Sequence, residues 1–194
     1  ERPARLSSSA PRSTQSCWID YFRIAASSDP PVCSSAVAID RSTLLALGGF
    51  PAGVRSGEDL LTWAALALAH PLAYDRRPLA VFRVSGIERR PDSADTVSNR
   101  LAQLHATHPA VPGLGDYRAA WHRMRAAMWL RFDESARARI DAGHALRLAP
   151  LNPRSLYLWV LCRLPPGWRL RFDAWIRGAR ARIMRSRPRN ASSE

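Results

Sequence analysis

Apolar residues recur every three to four positions through most of the second half of the chain. This spacing places them on one side of a helix, so it predicts a mostly helical second half. The predicted helices cover 93–107, 116–132, 134–149, 154–164 and about 167–186. Asp133 stands just before one of them, where a short polar side chain can accept hydrogen bonds from the first amides of the helix. We therefore expect Asp133 to cap the helix over 134–149.

The first half alternates between shorter apolar runs and turns rich in glycine and proline. A short helix is predicted from Asp40 to Leu47, because Gly48 and Gly49 follow it as C-terminal caps. A strongly apolar helix is predicted from about Glu58 to His70, where Pro71 ends it. Glycine-rich turns therefore flank both helices and would let the backbone approach a ligand closely.

Short apolar runs predict the remaining elements. The aromatic run from Cys17 to Ile24 predicts a short helix. Strands are predicted over Ser35–Ile39, Leu72–Tyr74 and Leu79–Val84, the last two on either side of an Asp-Arg-Arg-Pro turn. Residues 1–16 are rich in Ser, Pro and Arg, and we expect a loop or a disordered lead-in there.

The chain is strongly basic, with a net charge of +13. Residues 1–150 carry 19 Arg and 14 acidic residues, whereas residues 151–194 carry 10 Arg and 2 acidic residues. Most of the excess positive charge therefore belongs to the last part of the chain. Such a charge implies attraction to an anionic partner: nucleic acid, phosphates or a lipid surface.

The basic tail can be interpreted in two ways. Its predicted helix has Trp168, Phe172, Trp175 and Ile176 at helical spacing, with Arg residues around them. A basic amphipathic helix with Trp on its apolar side can lie on an anionic membrane, here through residues 166–187. Alternatively, the helix packs on the domain and exposes a solvated Arg face. The pattern does not decide between these two interpretations.

The cysteines indicate a reducing compartment. Cys17, Cys33 and Cys162 are far apart and odd in number, which is neither a disulfide framework nor a zinc-binding spacing. No run of about 18 or more apolar residues predicts a transmembrane helix, and no signal peptide is recognised. We therefore expect a cytoplasmic location, peripheral to the inner face of the plasma membrane if the tail binds lipid.

Two adjacent carboxylates, Glu58 and Asp59, stand between a glycine-rich turn and the start of an apolar helix. Acidic residues in a first helical turn offset the macrodipole by about 0.3–1 kcal/mol each, and Ser56 is placed to act as the N-cap of a near-capping box. The same position also suits a general base, because a carboxylate on a rigid helix start can take a proton from a bound hydroxyl. The pair alone favours the capping interpretation.

The neighbours of the acid pair change this balance. The ordered set GGF…SGED…TW…L…PLAYDRRPLAVFR resembles the C-terminal half of the catalytic domain in family 2 glycosyltransferases, which have the GT-A fold. The matching pieces, in order, are Ser35–Ile39, Gly48–Phe50, Gly57–Asp59, Trp63 and Pro78–Arg83. Each piece is weak by itself, and the ordered set over residues 32 to 84 favours this family.

The resemblance implies a function and a set of site residues. Asp59 matches the catalytic base of an inverting sugar transfer, and Glu58 matches an adjacent acid that contacts acceptor or sugar. Arg83 matches a basic residue near the donor diphosphate, and Gly57, Trp63 and Ser35 belong to the same substrate-binding region. The implied partners are a nucleotide-sugar donor and a saccharide or lipid-linked acceptor, as in the synthesis of cell-envelope polysaccharides.

The chain also departs from the family pattern. Ser85 stands where the family commonly has His, which makes a metal ligand from that segment doubtful. The family's Asp-x-Asp motif, which holds Mg²⁺ or Mn²⁺ on the donor phosphates, is missing from this sequence. No metal ligand is therefore assigned, and we expect no turnover without a nucleotide-binding half. Since the sequence begins at Glu1 rather than Met, we also expect a fragment of a longer protein.

The expected fold class is α/β, with a partial, Rossmann-like GT-A domain followed by an all-α extension. The predicted parts are a lead-in over 1–16, the GT-A portion over 17–90, a helical extension over 91–165 and a basic amphipathic helix and tail over 166–194. Two alternatives remain: a cationic module that binds nucleic acid, and a scaffolding relative without catalysis. No RNA-binding motif or convincing helix-turn-helix supports the former, so nucleic acid is not the expected partner.

Overall fold

The computed structural model describes residues 16–27, 31–75, 77, 80, 90–92, 94–172 and 174–176. This part of the chain is mostly helical, with one small two-stranded sheet. Its elements are β1 (Cys17–Ile19), α1 (Tyr21–Ser27), α2 (Arg41–Ala46), α3 (Glu58–Ala69), β2 (Leu72–Tyr74), α4 (Thr96–Thr107), α5 (Leu114–Arg131), α6 (Ser135–Leu148) and α7 (Pro153–Leu161). A further helical segment covers 166–172. None of the described helices combines the length and the apolar character needed to cross a bilayer.

The sheet corrects one of the sequence predictions and confirms another. Strands β1 and β2 pair antiparallel, with Trp18 opposite Ala73. The run over 17–24, predicted as a helix, therefore forms strand β1 first, and α1 begins after Asp20. The Asp20 carboxylate accepts a hydrogen bond from the Arg23 amide at 3.2 Å. The prediction of a strand over 72–74 is confirmed.

The predicted strand over Ser35–Ile39 is wrong. This segment forms a turn followed by chain without regular secondary structure, and Val37 is 39% exposed. A short apolar run becomes a strand when another strand satisfies its backbone groups, and in the described part of the chain the pairing is between β1 and β2. The strand predicted over Leu79–Val84 lies outside the described residues, apart from residue 80.

The predicted helix over 40–47 is confirmed as α2. The Asp40 carboxylate accepts the Thr43 amide at 2.8 Å, which satisfies one of the free donors at the helix start. Gly48 and Gly49 close the helix with φ angles of 84° and 69°, a region that favours glycine.

The start of α3 is built differently from the capping box that the sequence predicts. The N-cap is Gly57, with φ 84°, and not Ser56. A Cβ atom on Gly57 would lie 2.7 Å from Cη2 of Trp121 on α5, so this turn presses against another helix. Asp133 likewise does not cap α6: the N-cap is Glu134, and Asp133 adopts φ 56°.

Two apolar clusters form the core of the described residues. The first joins α1, α3, α4 and α5 through buried residues that include Phe22, Trp63, Leu101, Leu114 and Trp121. It contains residues from both sides of the predicted boundary at residue 90, which shows that the segments 17–90 and 91–165 share a core. The division into domains stays a prediction.

The second cluster lies between α5, α6 and the end of α7. Ala126, Ala138 and Ala142 allow the backbones of α5 and α6 to approach closely around Trp129. Cys162 is buried in this cluster, and burial raises the pKa of its thiol to about 11, so the thiol is an apolar packing group and not a nucleophile. Helix α5 contributes to both clusters and links them.

The C-terminal end of α1 is held by two distant Arg side chains. Arg123 Nη2 donates to the carbonyl oxygen of Ala26 at 2.9 Å, and Arg154 Nη1 donates to the carbonyl oxygen of Ser27 at 3.1 Å. The last carbonyls of a helix have no partner within the helix, so α5 and α7 supply their donors here. Arg123 also donates to Ser155 Oγ at 3.2 Å, which ties the three helices together.

Candidate functional site

The acid pair lies in the first turn of α3, directly after the left-handed turn at Gly57. Both carboxylate residues are half-buried, so they are held by the fold and still reach solvent. The free amides at a helix start favour negative charge there. The start of α3 therefore presents two carboxylate side chains at a position that reaches solvent.

The electrostatic environment of Asp59 is unusual for a first-turn acid. Burial, the largest cause, raises its pKa above the ordinary value of 3.8, and the adjacent charge of Glu58 acts in the same direction. Hydrogen bonds from the Leu60 amide, at 2.8 Å to Oδ1, and from the Ser34 side chain oppose this rise. No cationic side chain among the described residues forms an ion pair with Asp59. A carboxylate with a raised pKa is a stronger base than an ordinary Asp.

Two buried tyrosines, Tyr21 on α1 and Tyr117 on α5, pack against the start of α3. Tyr117 on α5 donates from its hydroxyl to the carbonyl oxygen of Leu60 at 3.0 Å. The hydroxyls of Tyr21 and Tyr117 are 3.1 Å apart, and their rings pack at a centroid distance of 5.6 Å. Burial raises the pKa of both phenols, and the charge of Asp59 raises them further. Both tyrosines therefore stay protonated and fix the position of the first turn.

The other predicted site residues fall in different places. Trp63 is 1% exposed and packs edge-on against Phe50 at a centroid distance of 5.7 Å, so it belongs to the core beneath the acid pair. Ser35 is exposed, and its neighbour Ser34, which the sequence interpretation did not select, contacts Asp59. Arg83 lies outside the described residues. The structure thus brings together Gly57, the acid pair and Ser34.

An open groove of about 430 Å³ runs between the turn after α2 and one side of α3 and α4. Its floor is apolar, with Leu61, Ala65 and Leu104, and its polar groups come from Thr62, Arg100, Gln103 and Thr107. Glu58 precedes Thr62 by four residues, so helical geometry places both on the same side of α3. Thr62 Oγ1 also donates to the Glu58 carbonyl oxygen at 3.0 Å. Glu58 therefore lies on the groove-lining side of α3, one turn before Thr62, although the groove itself is lined by neither acid of the pair.

A second group of titratable residues lies between α5 and α6. His122 Nδ1 is 2.7 Å from Asp141 Oδ1, and Arg125 Nε donates to Asp141 Oδ2 at 3.2 Å. Trp129 Nε1 donates to the same oxygen at 3.0 Å. Arg125 Nη1 also lies 3.3 Å from Asp95 Oδ1. Asp141 is 4% exposed and yet has three hydrogen-bonding partners.

The same group brings Asp95, His122 and Asp141 within 4.8 Å of one another, a spacing that could hold a metal ion. The guanidinium of Arg125 already lies against both carboxylates and repels a second cation at that point. The donor set therefore does not fit a divalent metal, and the group is a satisfied ion-pair network. The sequence interpretation missed this network, although His122, Arg125 and Trp129 share one side of α5 at helical spacing.

Comparisons of the chain with protein-family models, with curated proteins and with solved structures gave no significant match.

Proposed function

We propose that this chain forms the acceptor side of an inverting glycosyltransferase, with Asp59 as the general base. The observation that carries the proposal is the state of Asp59: a half-buried carboxylate with a raised pKa, directly after the left-handed turn at Gly57 that begins α3. The ordered resemblance from Ser35 to Arg83 adds the reaction class. Glu58 would contact the acceptor or the transferred sugar.

The proposed step is a single displacement. An acceptor hydroxyl oxygen attacks the anomeric carbon of a nucleotide sugar, the bond from that carbon to the diphosphate oxygen breaks, and Asp59 takes the hydroxyl proton. A sugar hydroxyl is a poor nucleophile, so removing its proton as the bond forms contributes about 10²–10⁴-fold to the rate. The raised pKa of Asp59 increases the driving force for that transfer.

The groove beside α3 is a suitable place for a saccharide or a lipid-linked saccharide. Its apolar floor matches the faces of sugar rings or a lipid chain, and its Thr, Gln and Arg side chains supply hydrogen bonds for hydroxyl groups. A divalent metal on the donor diphosphate remains an expectation from the family. No step is assigned to it, because the acidic cluster around Asp141 does not fit one.

The test measures nucleotide-sugar turnover by the natural gene product that contains this chain, using a panel of donors and saccharide acceptors. Asp59→Asn keeps the size of the side chain and removes the base, so kcat should fall by about 10²–10⁴-fold with a small change in KM. The matched control is Asp116→Asn, which removes an acid from the first turn of α5.

Equal kcat values for wild type and Asp59→Asn would reject the assignment of the base. Acceptor binding by the 194-residue chain is the second measurement, because it does not depend on the donor half. Failure of every acceptor to shift the NMR signals of Thr62 and Gln103, together with no turnover of any donor, would reject the proposed function.

A further inference from the structure

The end of the described chain exposes several large apolar side chains next to Arg residues. Trp168 is 61% exposed, Leu170 is 75% exposed and Trp175 is 61% exposed. Leu156 on α7 is also more than half exposed, and Arg171 is exposed between the two Trp residues in sequence. We call Trp168, Arg171 and Trp175 the aromatic-basic surface. It is separate from the acid pair and from the groove.

Contacts on the inner side of the segment 166–172 hold this surface in place. Phe172 stacks on Tyr157 of α7 at a centroid distance of 5.9 Å, and on its other side it meets Trp175 at 6.1 Å. Arg169 donates from Nη2 to Ser135 Oγ at 2.7 Å and from Nε to the carbonyl oxygen of Leu164 at 2.9 Å. Trp168 and Trp175 are seven positions apart, a spacing that places both on one side of a helix, and Arg171 lies beside the Trp168 ring. Leu170 is two positions from Trp168 and lies on the other side of the segment.

The chemistry of the surface identifies the kind of partner. Trp has an apolar ring and a polar N–H group, a combination that suits the boundary between water and hydrocarbon. The Arg171 guanidinium lies 5.5 Å from the centre of the Trp168 ring, so positive charge and aromatic area are presented together. The sequence continues with six further Arg residues between 177 and 194. A partner must therefore accept apolar insertion and carry negative charge.

Two other partners fit these features less well. A second copy of the chain would bring Arg against Arg in a protein whose net charge is +13. Proteins that bind single-stranded nucleic acid combine stacking rings with a basic groove that follows the backbone. Trp168 and Trp175 are instead 61% exposed on a helical segment. An anionic bilayer accepts both kinds of group, because the Trp rings enter the acyl boundary while Arg171 meets the phosphates.

We propose that the aromatic-basic surface binds the surface of an anionic lipid bilayer without crossing it. Trp168 and Trp175 insert at the boundary of the acyl chains, and Arg171 contacts the lipid phosphates. The proposal stands independently of sugar transfer, because it uses none of the residues around Asp59.

The test measures co-sedimentation of the full chain with two kinds of vesicle, phosphatidylcholine alone and an equal mixture of phosphatidylcholine and phosphatidylglycerol. The double variant Trp168→Ala/Trp175→Ala should bind the mixed vesicles at least about tenfold more weakly, since binding scales with the apolar area inserted. Trp18→Ala is the matched control, because Trp18 is 69% exposed on β1, away from this surface, and the variant should bind like wild type.

Charge is tested with a second pair of variants. Arg171→Gln should weaken binding to the mixed vesicles by about fivefold at low salt, whereas Arg41→Gln on α2 should not change it. Circular dichroism confirms that each variant is folded. Equal binding to both kinds of vesicle, or no loss of binding in the Trp double variant, would overturn the proposal. A competition with single-stranded RNA gives a further outcome that would overturn it. If RNA displaces the wild-type protein from mixed vesicles, and the Trp double variant loses RNA binding as it loses lipid binding, the surface belongs to nucleic acid.

Discussion

Two carboxylates in this protein are held by the same helix, α5, in opposite ways. Asp141 is buried against α5 and is hydrogen-bonded to His122, Arg125 and Trp129. Asp59 is half-buried above Tyr117 of α5, receives a backbone amide and a Ser hydroxyl, and has no cationic partner among the described residues. The first carboxylate has its hydrogen-bonding capacity filled by the fold, whereas the described residues leave part of the capacity of the second open.

The difference shows why an acidic residue cannot be assigned a role from its burial alone. A buried charge that is fully paired fixes the geometry of its neighbours, and removing it leaves those neighbours unsatisfied. A partly buried carboxylate with a raised pKa is destabilised in its charged form by the folded state, and it binds a proton more readily. Variants at the two positions should therefore differ in both stability and activity.

The largest expected effect is at the paired carboxylate. Asp141→Ala leaves the guanidinium of Arg125 and the indole N–H of Trp129 buried without this acceptor, and should lower the free energy of unfolding by about 3–5 kcal/mol. Urea unfolding followed by circular dichroism measures the change. Asp116→Ala, at an exposed acid on α5, should cost less than about 1 kcal/mol. Similar losses for the two variants would mean that the network adds no stability.

The next effect concerns the turn that comes directly before the acid pair. Gly57→Ala introduces a Cβ atom against Trp121 at a positive φ, and should lower the free energy of unfolding by about 2–4 kcal/mol. Gly53→Ala is the matched control, because Gly53 has φ 75° and nothing lies within 4 Å of its added Cβ atom. The control should cost about 1–2 kcal/mol, the conformational part alone. If both variants cost the same in urea unfolding, the contact with Trp121 does not position the acid pair.

The smallest effect is a pH dependence at Asp59. Folding raises the pKa of this carboxyl, so folding favours its neutral form: the stabilisation is complete below the unfolded value near 3.8 and is lost as the pH rises through the higher folded value. Asp59→Asn cannot ionise. The variant should therefore gain stability relative to wild type between about pH 3 and pH 7, by less than about 1 kcal/mol because the group is half exposed.

Thermal unfolding of wild type and Asp59→Asn across this range measures the gain. A gain in stability combined with the predicted loss of kcat would mark Asp59 as a residue kept for activity at a cost in stability. If Asp59→Asn instead lost stability relative to wild type as the pH rises, the burial argument would be contradicted, because the folded state would then stabilise the charged form of Asp59.

The sequence predicts the helices of this fold well where their patterns are local. The predicted helices over 93–107, 116–132, 134–149 and 154–164 correspond to α4–α7, because amphipathic spacing and nearby breakers are properties of the segment itself. The predicted strand over 35–39 failed, since pairing depends on a distant strand. The run from Cys17 was misjudged for the same reason: its first residues pair with β2, more than 50 residues away.

The candidate site was predicted in part. Asp59 and Glu58 could be singled out because their neighbours form an ordered motif. The role of Gly57 as the N-cap could not be predicted from the sequence. A side chain at this position would meet the ring of Trp121, which comes more than 60 residues later. Ser34 was missed beside the selected Ser35, because which of two adjacent serines faces Asp59 depends on the turn that replaced the predicted strand. The glycosyltransferase assignment stays a prediction.

The two Arg side chains at the end of α1 have a consequence for the order of folding. Arg123 and Arg154 follow Ala26 and Ser27 in sequence by 97 and 127 residues. During synthesis, the last turn of α1 must wait for residues that leave the ribosome many seconds later, at typical rates of about 5–20 residues per second. Helix α1 is therefore completed late in folding, although it lies near the start of the described chain. In a nascent chain stalled before Arg154, the carbonyl oxygen of Ser27 would be exposed to water.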